Sequence, residues 1–309
     1  MTGESSSRGA KGCAFITGAT GFVGSHLTRR LVTDGWSVHI LVRPSSDRKL
    51  LQDLEGRFQT HIHFGNTEQL CALMSDVRPN VVFHLASLFV VHHHPEDILP
   101  LFESNLVFPS QLLEAMAKNG VTRLINTGTS WQHYNNKNDN NPVCLYAATK
   151  QAVEAIMEYY IQACGIKAIT LKLFDTYGSD DPRPKLLSLF KKAAETGEPL
   201  GMSAGEQLID LVHIDDVIEA YVIAAQRLLD KAVSQHERYA VSSGNPLSLK
   251  ELVKLYAEVT KQVVAVNWGA RPYRYREVMV PWNKGRSVPG WVPRTSLVDG
   301  IRNAYRQDL

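Results

Sequence analysis

The 309-residue sequence predicts an α/β fold, a doubly wound parallel sheet followed by a smaller and irregular C-terminal region. Three observations support this prediction. Short apolar runs alternate with segments of helical spacing, the first run ends in a glycine-rich turn, and the alternation loosens after residue 178. Strands that are separated by helices need crossover connections, which place helices on both faces of a parallel sheet.

Six apolar runs are predicted to be the strands of this sheet. The run VVFHLA is apolar almost throughout, which is typical of a strand that is buried on both faces. The predicted strands are CAFIT (13–17), SVHILV (37–42), THIHF (60–64), VVFHLA (81–86), RLINTG (123–128) and AITLKLF (168–174). The predicted helices lie between them, at residues 22–34, 67–77, 97–118 and 146–163.

The loosening of the pattern suggests how the chain is divided. We assign residues 13–178 to the sheet domain, to which residues 206–244 return a strand and a helix. Residues 179–205 and 245–309 form the irregular region, which is rich in Pro, Arg, Tyr and Trp. There Ser248 is expected to cap the helix that follows it. Residues 1–12 are polar and are expected to form a flexible tail.

Composition narrows the functional classes. The net charge of +2 is too small to indicate a nucleic-acid or membrane surface. No apolar run reaches the length of a membrane span, and the N-terminus lacks the apolar core of a signal peptide, so a cytoplasmic protein is expected. The four cysteines have no metal-ligand spacing and fit reduced thiols, although a reactive Cys144 is conceivable. The run 92–94 of three histidines is interpreted as a loop, and no metal is expected.

The glycine-rich turn FITGATGFVG follows the first strand and opens the first helix. Glycine suits a tight turn, and backbone amides at a helix N-terminus attract a pyrophosphate that a side chain would block. This placement predicts a dinucleotide cofactor, whereas the alternative is a helix start that needs small residues for packing. The predicted cofactor contacts in the turn are Gly18, Thr20, Gly21, Phe22, Val23 and Gly24.

The end of the second strand bears on the choice of cofactor. Enzymes that prefer NAD usually hold a carboxylate there for the ribose hydroxyls, but this chain has Arg43. An arginine can hold a 2′-phosphate through charge-assisted hydrogen bonds, so NADP(H) is predicted in preference to NAD(H). The alternative is an exposed surface arginine. Asn66, after the third strand, is predicted to contact the adenine.

Tyr146 and Lys150 lie four residues apart in a predicted helix, so their side chains share one face. A nearby ammonium group favours the phenolate, and we expect it to lower the pKa of Tyr146 towards neutrality. The spacing alone is weak evidence, because two surface residues one turn apart would give it as well.

The motifs TGATGFVG, HLAS and YAATK together resemble those of the extended short-chain dehydrogenase/reductases. That family has a Rossmann-type fold and includes sugar-nucleotide epimerases, dehydratases and 4-keto reductases. The segments GTSWQHYN, LFDTYGSDDPRPKL, LVHIDDV and YREVMVPW resemble, more narrowly, the CDP-abequose and CDP-paratose synthases. Those enzymes reduce the 4-keto group of a CDP-4-keto-3,6-dideoxyhexose.

The resemblance implies a catalytic set of Thr129, Tyr146 and Lys150. Tyr146 would donate the proton, Lys150 would bond the nicotinamide ribose, and Thr129 would polarise the carbonyl, with Ser130 as the alternative for this last role. Additional cofactor contacts that the resemblance implies are Leu85, Ala86, Ser87, Thr127, Tyr146, Lys150 and Phe174.

The resemblance implies that the C-terminal region binds a nucleotide sugar, with CDP favoured as the nucleotide. Guanidinium groups bind phosphate oxygens bidentately, which suits the arginines of this region. The predicted substrate contacts are Ser87, Thr129, Ser130, Trp131, Asp175, Arg183, Lys185, Arg274 and Arg276. The helix that bears Tyr146 resembles a dimer-forming element of the family, which would allow a homodimer, and a monomer is the alternative.

Two differences from the family's motifs reduce the number of reactions that the sequence favours. Its dehydratases carry an Asp-Glu pair directly after the active-site Thr, where this chain has Ser130 and Trp131. Its epimerases commonly keep the strand-two carboxylate that is missing here. Both absences favour an NADPH-dependent 4-keto reductase that makes a deoxysugar nucleotide for glycan biosynthesis. The alternatives are a 4-epimerase, another NADPH carbonyl reductase, and a non-catalytic NADP-binding regulator.

Overall fold

A computed structural model describes residues 11–305, which include all the predicted strands and helices. The strands in chain order are β1 (Cys13–Thr17), β2 (Ser37–Val42), β3 (Gln59–Ile62), β4 (Val81–His84), β5 (Arg123–Thr129), β6 (Lys167–Leu173), β7 (Asp175–Tyr177), β8 (Leu200–Gly201), β9 (Leu208–Ile209), β10 (Leu211–His213), β11 (His236–Val241), β12 (Leu247–Ser248) and β13 (Val266–Asn267).

Nine α-helices are found in the described part of the chain. They are α1 (Phe22–Thr33), α2 (Thr67–Val77), α3 (Ile98–Phe102), α4 (Phe108–Lys118), α5 (Leu145–Cys164), α6 (Leu186–Thr196), α7 (Ile214–Leu229), α8 (Leu249–Thr260) and α9 (Leu297–Tyr305).

Seven strands form one parallel sheet in the order β11-β6-β5-β4-β1-β2-β3. The predicted α/β fold is therefore confirmed. The chain leaves β3 at one edge and returns to β4 beside β1, so the strand order reverses between β1 and β4. Ligands of doubly wound sheets bind outside the carboxyl ends of the strands at such a reversal.

Two apolar cores cover the two faces of the sheet. Helices α1 and α7 pack on one face, and α2, α4 and α5 pack on the other. A third core joins α6, α8 and α9 in the C-terminal region, where Ser248 caps α8 as predicted by accepting a hydrogen bond from the Glu251 backbone. Trp282 and Trp291 pack into the first core and so attach this region to the sheet domain.

The predicted helix over 97–118 is wrong in one respect, because the structure breaks it into three pieces. Helix α3 ends at Phe102, a π-helical turn spans Glu103–Val107, and α4 begins at Phe108. Pro109 lies in the first turn of α4 and has no backbone N–H, so the regular ladder of hydrogen bonds cannot continue through it. The π-turn turns Asn105 into the interior, where it is 2% exposed.

The predicted tail over residues 1–12 lies mostly outside the described residues. Of its last two residues, the Lys11 N–H donates to the Gly35 carbonyl and the Gly12 carbonyl accepts from Ser37. Over residues 11–305, each helix is too short or too polar to cross a bilayer.

Candidate active site

The glycine-rich turn connects β1 to α1 at the point where the strand order reverses. Gly18 has a φ of +73°, and a Cβ there would come within 2.5 Å of the Ala86 backbone nitrogen. Gly24 faces the Gly18 carbonyl so closely that a Cβ would overlap it. Gly21 precedes α1 and adds no side chain over the first amides of the helix. Gly18 and Gly24 are thus required by close backbone packing, and Gly21 leaves the first amides of α1 uncovered, which is an arrangement that can accept the diphosphate of a dinucleotide.

The end of β2 presents Arg43 to solvent, and the Arg43 backbone N–H donates to the Ser46 hydroxyl at 3.0 Å. Asn66, which was predicted to contact adenine, caps α2 by accepting from the Gln69 N–H at 3.1 Å. Its side-chain oxygen therefore already has a structural partner, which leaves the amide nitrogen for other contacts.

Asn105 holds the loop after β4 against α5. Its side-chain oxygen accepts from the Leu88 N–H at 2.8 Å and from the Ser87 hydroxyl at 3.1 Å. Its side-chain nitrogen donates to the Leu88 carbonyl at 2.9 Å and to the Thr149 hydroxyl at 3.1 Å. The loop that carries Ser87 is thus tied to the helix that carries Tyr146.

Tyr146 and Lys150 lie on one buried face of α5 and are 9% and 4% exposed. The Lys150 nitrogen is 5.9 Å from the centroid of the Tyr146 ring. Burial raises the pKa of Tyr146, the nearby Cys144 raises it further, and Ser87 and Arg183 lower it only in part. Burial also lowers the pKa of Lys150 to about 8.

The prediction that Lys150 makes Tyr146 unusually acidic is therefore wrong for this structure. Removing a phenolate from water costs more free energy than the surrounding positive groups return, so the phenol stays protonated at neutral pH. A protonated phenol is nevertheless the form that a proton donor must have before the reaction. Burial also raises the pKa of the Cys144 thiol, which disfavours a reactive thiolate there.

The turn after β5 carries the predicted carbonyl-polarising hydroxyls. Thr129 ends the strand, is 9% exposed, and accepts a 3.3 Å hydrogen bond from the Trp131 N–H. Ser130 begins a short 3₁₀ turn and lines the large cavity described below, whereas Thr129 does not. Earlier in the strand, Thr127 donates to the His84 carbonyl at 2.8 Å and lies 2.7 Å from the Tyr221 hydroxyl.

A cavity of about 1270 Å³ opens beside this turn, between the sheet domain and the C-terminal region. It exceeds the usual volume of a small-molecule site, which is roughly 300–1000 Å³. Most of the predicted substrate residues line it, although Ser87 and Thr129 do not. Those that do are Ser130, Trp131, Asp175, Arg183, Lys185, Arg274 and Arg276.

Three of the four predicted cations in the cavity already have a carboxylate partner. Arg183 makes two 2.7 Å hydrogen bonds to Asp181, and the Lys185 nitrogen is 3.7 Å from Asp175. Arg274 makes two hydrogen bonds to Glu277.

Arg276 differs from these three cations. Its guanidinium group lies over the ring of Tyr134 at 4.2 Å and donates to the side-chain oxygen of Asn141. Within residues 11–305 no carboxylate forms a salt bridge with it. Arg276 therefore brings an uncompensated positive charge to the cavity wall.

Aromatic rings connect the catalytic pair with the cavity. Phe89 is 45% exposed in the cavity, and its ring meets the Tyr146 ring edge-on at 4.9 Å and the Trp131 ring at 5.8 Å. Trp282 stacks on His133 at 4.0 Å on another part of the wall. The sequence did not identify Phe89, because the loop after β4 has no periodic pattern to distinguish it.

Residues 14–239 match the family described as NAD dependent epimerase/dehydratase family. The CDP-abequose synthase of Salmonella muenchen is 25% identical over 291 residues, which cover 93% of this chain and 94% of that protein. The UDP-glucose 4-epimerase of Mycolicibacterium smegmatis is 27% identical over 308 residues, with coverages of 93% and 95%. The solved structure of MoeE5 in complex with UDP-glucuronic acid and NAD has a TM-score of 0.78 at 26% identity, covering 95% of this chain and 98% of that one.

Proposed function

The chain belongs to the NAD dependent epimerase/dehydratase family, and we propose that it reduces the C4 keto group of a nucleotide-linked sugar with NADPH. The substrate is a 4-keto-6-deoxy or 3,6-dideoxy hexose, with CDP as the favoured nucleotide. The product is a deoxysugar nucleotide for glycan biosynthesis.

One observation carries the proposal: the buried Tyr146 and the glycine turn both contact the loop after β4, and Phe89 of that loop lines the cation-lined cavity. Tyr146 contacts Phe89, which lines the cavity, and the loop that carries Phe89 begins at the strand end that Gly18 approaches. The volume of the cavity suits a ligand as large as a nucleotide sugar. The similarity to CDP-abequose synthases over nearly the whole chain supports this substrate class.

Residues of the chain supply the acid and the charges that the reduction needs. When bound, the nicotinamide dinucleotide supplies a hydride to the carbonyl carbon. Tyr146, held protonated by burial, donates its proton to the carbonyl oxygen as negative charge develops there. We assign Lys150, which shares the buried face of α5 with Tyr146, to the nicotinamide ribose. A hydroxyl of the turn donates a hydrogen bond to the same oxygen.

We assign that hydroxyl to Ser130, with Thr129 as the alternative. Ser130 lines the cavity and Thr129 does not. The Thr129 hydroxyl accepts from the Trp131 N–H but keeps its own hydrogen to donate, so Thr129 is the alternative. The cations fit the diphosphate, and Arg276 fits it best because no carboxylate within residues 11–305 forms a salt bridge with it. Residues from both predicted substrate segments, 179–205 and 245–309, line the cavity.

We propose NADPH as the cofactor, although the family description and the solved relative with 26% identity both name NAD. This proposal is supported by Arg43, which is exposed at the end of β2 where a carboxylate would otherwise select the ribose hydroxyls of NAD.

A second candidate function is 4-epimerisation of a nucleotide sugar. It is favoured by the identity of 27% to a UDP-glucose 4-epimerase over nearly the whole chain. An epimerase returns its hydride to the substrate and consumes no reduced cofactor overall, so stoichiometry separates the two functions.

The test is NADPH oxidation with CDP-4-keto-3,6-dideoxyglucose, followed by NMR of the product. The proposal expects one NADPH to be oxidised for each C4 hydroxyl formed. Interconversion of a 4-hydroxy sugar nucleotide without net NADPH oxidation would favour the epimerase. Binding of NADPH without turnover on any keto-sugar nucleotide would favour the non-catalytic regulator.

A further inference from the structure

Directly behind the turn that carries Ser130 lies a buried polar cluster, to which the proposed reaction assigns no role. Its central members are Gln132, Glu154 and Lys172, which are 0%, 2% and 3% exposed. Two of them are ionisable, and burying charges is costly unless they are paired. A well-packed apolar cluster of similar volume would often be as stable or more stable, so stability alone does not account for this arrangement.

Gln132 uses every hydrogen-bonding group of its side chain inside this cluster. Its oxygen accepts from the Thr129 backbone N–H at 3.0 Å. Its nitrogen donates to Glu154 and to Gln151, both at 2.7 Å. The Gln132 side chain packs tightly against Gly128, since a Cβ on Gly128 would come within 2.8 Å of the Gln132 oxygen. The side chain therefore fixes the backbone of the turn in one place.

Glu154 is the partner of Gln132 on helix α5, and two cations balance its charge. The Arg238 guanidinium donates to one carboxylate oxygen at 2.7 Å, and the Lys172 nitrogen lies 3.7 Å from the other. Burial opposes the ionisation of Glu154, but Lys172, Gln132 and Arg238 outweigh it and hold its pKa below the ordinary value. Glu154 is thus a fixed anion that accepts from Gln132.

The position of Glu154 on α5 determines which parts of the site the hydrogen bond between Gln132 and Glu154 connects. Tyr146, Lys150 and Glu154 follow one another at intervals of four residues, so they occupy one face of α5 on successive turns. Gln132 follows Ser130 by two residues in the same 3₁₀ turn. The hydrogen bond between Gln132 and Glu154 therefore joins the segment that holds the hydroxyl to the helix that holds the phenol.

We propose that Gln132 and Glu154 are positioning residues that set the distance between the Ser130 hydroxyl and the Tyr146 phenol, both of which must reach one carbonyl oxygen. This role rests on the proposed reductase function. A displacement of about 1 Å between such groups can reduce turnover on the order of 100-fold. Neither residue contacts the cavity through the bonds described, so they act through the turn and the helix rather than on the substrate.

The kinetic test uses four variants and one matched control. Gln132→Leu removes the amide, Gln132→Glu and Glu154→Gln each disturb the pair, and the double variant Gln132→Glu/Glu154→Gln rebuilds it with the carboxylate on the other side. Glu237→Gln is the control, because Glu237 also holds one arginine, Arg227, and one neutral donor, Tyr239, but lies away from the turn.

We expect Gln132→Leu to lower kcat by about 10- to 100-fold while KM for both substrates changes less than about threefold. Gln132→Glu places two carboxylates together and should be the most impaired. The double variant should recover kcat to within about fivefold of the wild type, since coupled residues are non-additive. The proposal is overturned by wild-type kcat in Gln132→Leu, by a double variant no better than Gln132→Glu, or by an equal loss in the control.

A readout without turnover separates this inference from the proposed function. The Thr129 amide donates to Gln132, so amide hydrogen exchange of a peptide that spans 125–134 should speed up in Gln132→Leu and recover in the double variant. If the wild type reduces no keto-sugar nucleotide, the proposed function fails and the exchange data still decide whether the link exists. Unchanged amide exchange in Gln132→Leu would show that Gln132 does not hold the turn to α5, and it would overturn this inference.

Discussion

At the scale of single residues, Tyr146 and Lys150 show how burial changes the chemistry that spacing suggests. The spacing correctly predicts a shared helix face. The pKa of Tyr146 nevertheless rises, because the ring and hydroxyl are buried. The spacing of two residues in the sequence does not reveal this burial. The phenol is thus an acid held in its protonated form, and its reactivity depends on where it points rather than on a low pKa.

The first prediction at this scale concerns the hydroxyl that polarises the carbonyl. Ser130→Ala should lower kcat by about 10²-fold or more, as removal of one oxyanion donor does elsewhere. Thr129→Val should have a smaller effect, since Thr129 does not line the cavity. Steady-state kinetics of the two variants would check this, and a larger loss in Thr129→Val would exchange the two roles.

The second residue-scale prediction concerns Arg43. Arg43→Ala should raise KM for NADPH by about 10- to 100-fold, because it removes a charge-assisted hydrogen bond to the 2′-phosphate. NADH lacks that phosphate, so its KM serves as the internal control and should stay within about twofold. Equal changes with both cofactors would mean that Arg43 does not read the phosphate.

At the scale of elements, local patterns predicted most of the sheet domain. The predicted bounds of β1, β2 and α2 agree with the structure, because β1 and β2 are short apolar runs, α2 has helical spacing, and a glycine, a proline or a capping residue lies at or near an end of each. The predicted helix 97–118 was too long, since a π-turn has no signature in hydrophobic periodicity. The resemblance based on TGATGFVG and YAATK is confirmed by the family match over residues 14–239.

The prediction at this scale concerns the glycine turn. Gly18→Ala should destabilise the fold and abolish detectable cofactor binding, because the new Cβ would strike the Ala86 backbone at 2.5 Å. Gly120→Ala is the matched control, since Gly120 also has a positive φ of +65° but has open space around it. The control should lose only about 1 kcal/mol of unfolding free energy, the usual cost of a left-handed Ala.

Thermal melting and NADPH titration would measure both variants. If Gly18→Ala had the same melting temperature and the same affinity for NADPH as Gly120→Ala, the close approach of the turn to the end of β4 would not be required for cofactor binding.

At the scale of the whole molecule, the cavity and the polar cluster come together only through tertiary packing. Phe89, Trp131 and Arg274 are distant in sequence, and Glu154 reaches Gln132 across 22 positions. No local spacing encodes such contacts, which explains why the sequence could propose the arginines but could not tell which of them lacks a carboxylate. The glycine turn and the Tyr–Lys pair were accessible because each is contained within one short segment.

The prediction at this scale concerns stability against pH. His84 is buried at the end of β4, where its Nδ1 lies 2.9 Å from the Thr17 hydroxyl of β1, and burial together with the charge of Lys150 lowers its pKa to about 3. The unfolded chain binds a proton at His84 below its ordinary pKa of about 6.5, while the folded chain excludes it. Unfolding is therefore favoured progressively as pH falls from about 6.5 to about 3, at up to 1.36 kcal/mol per pH unit.

His84→Asn removes this linked proton. Between pH 7 and pH 5, the variant should therefore lose about 2 kcal/mol less unfolding free energy than the wild type loses. Urea denaturation of both proteins at pH 7 and pH 5 would measure the difference. Parallel pH dependences would contradict a neutral, buried His84. Other histidines contribute to both proteins alike and cancel in the comparison.

The most direct measurement is single-turnover NADPH oxidation by the wild type and Tyr146→Phe with CDP-4-keto-3,6-dideoxyglucose. Loss of the general acid should slow the chemical step by about 10²- to 10⁴-fold. Titration of NADPH should give dissociation constants within about threefold, since the aromatic ring and Lys150 remain in place and only the hydroxyl is lost. A variant that oxidised NADPH at the wild-type rate, with the same product, would contradict proton transfer from Tyr146.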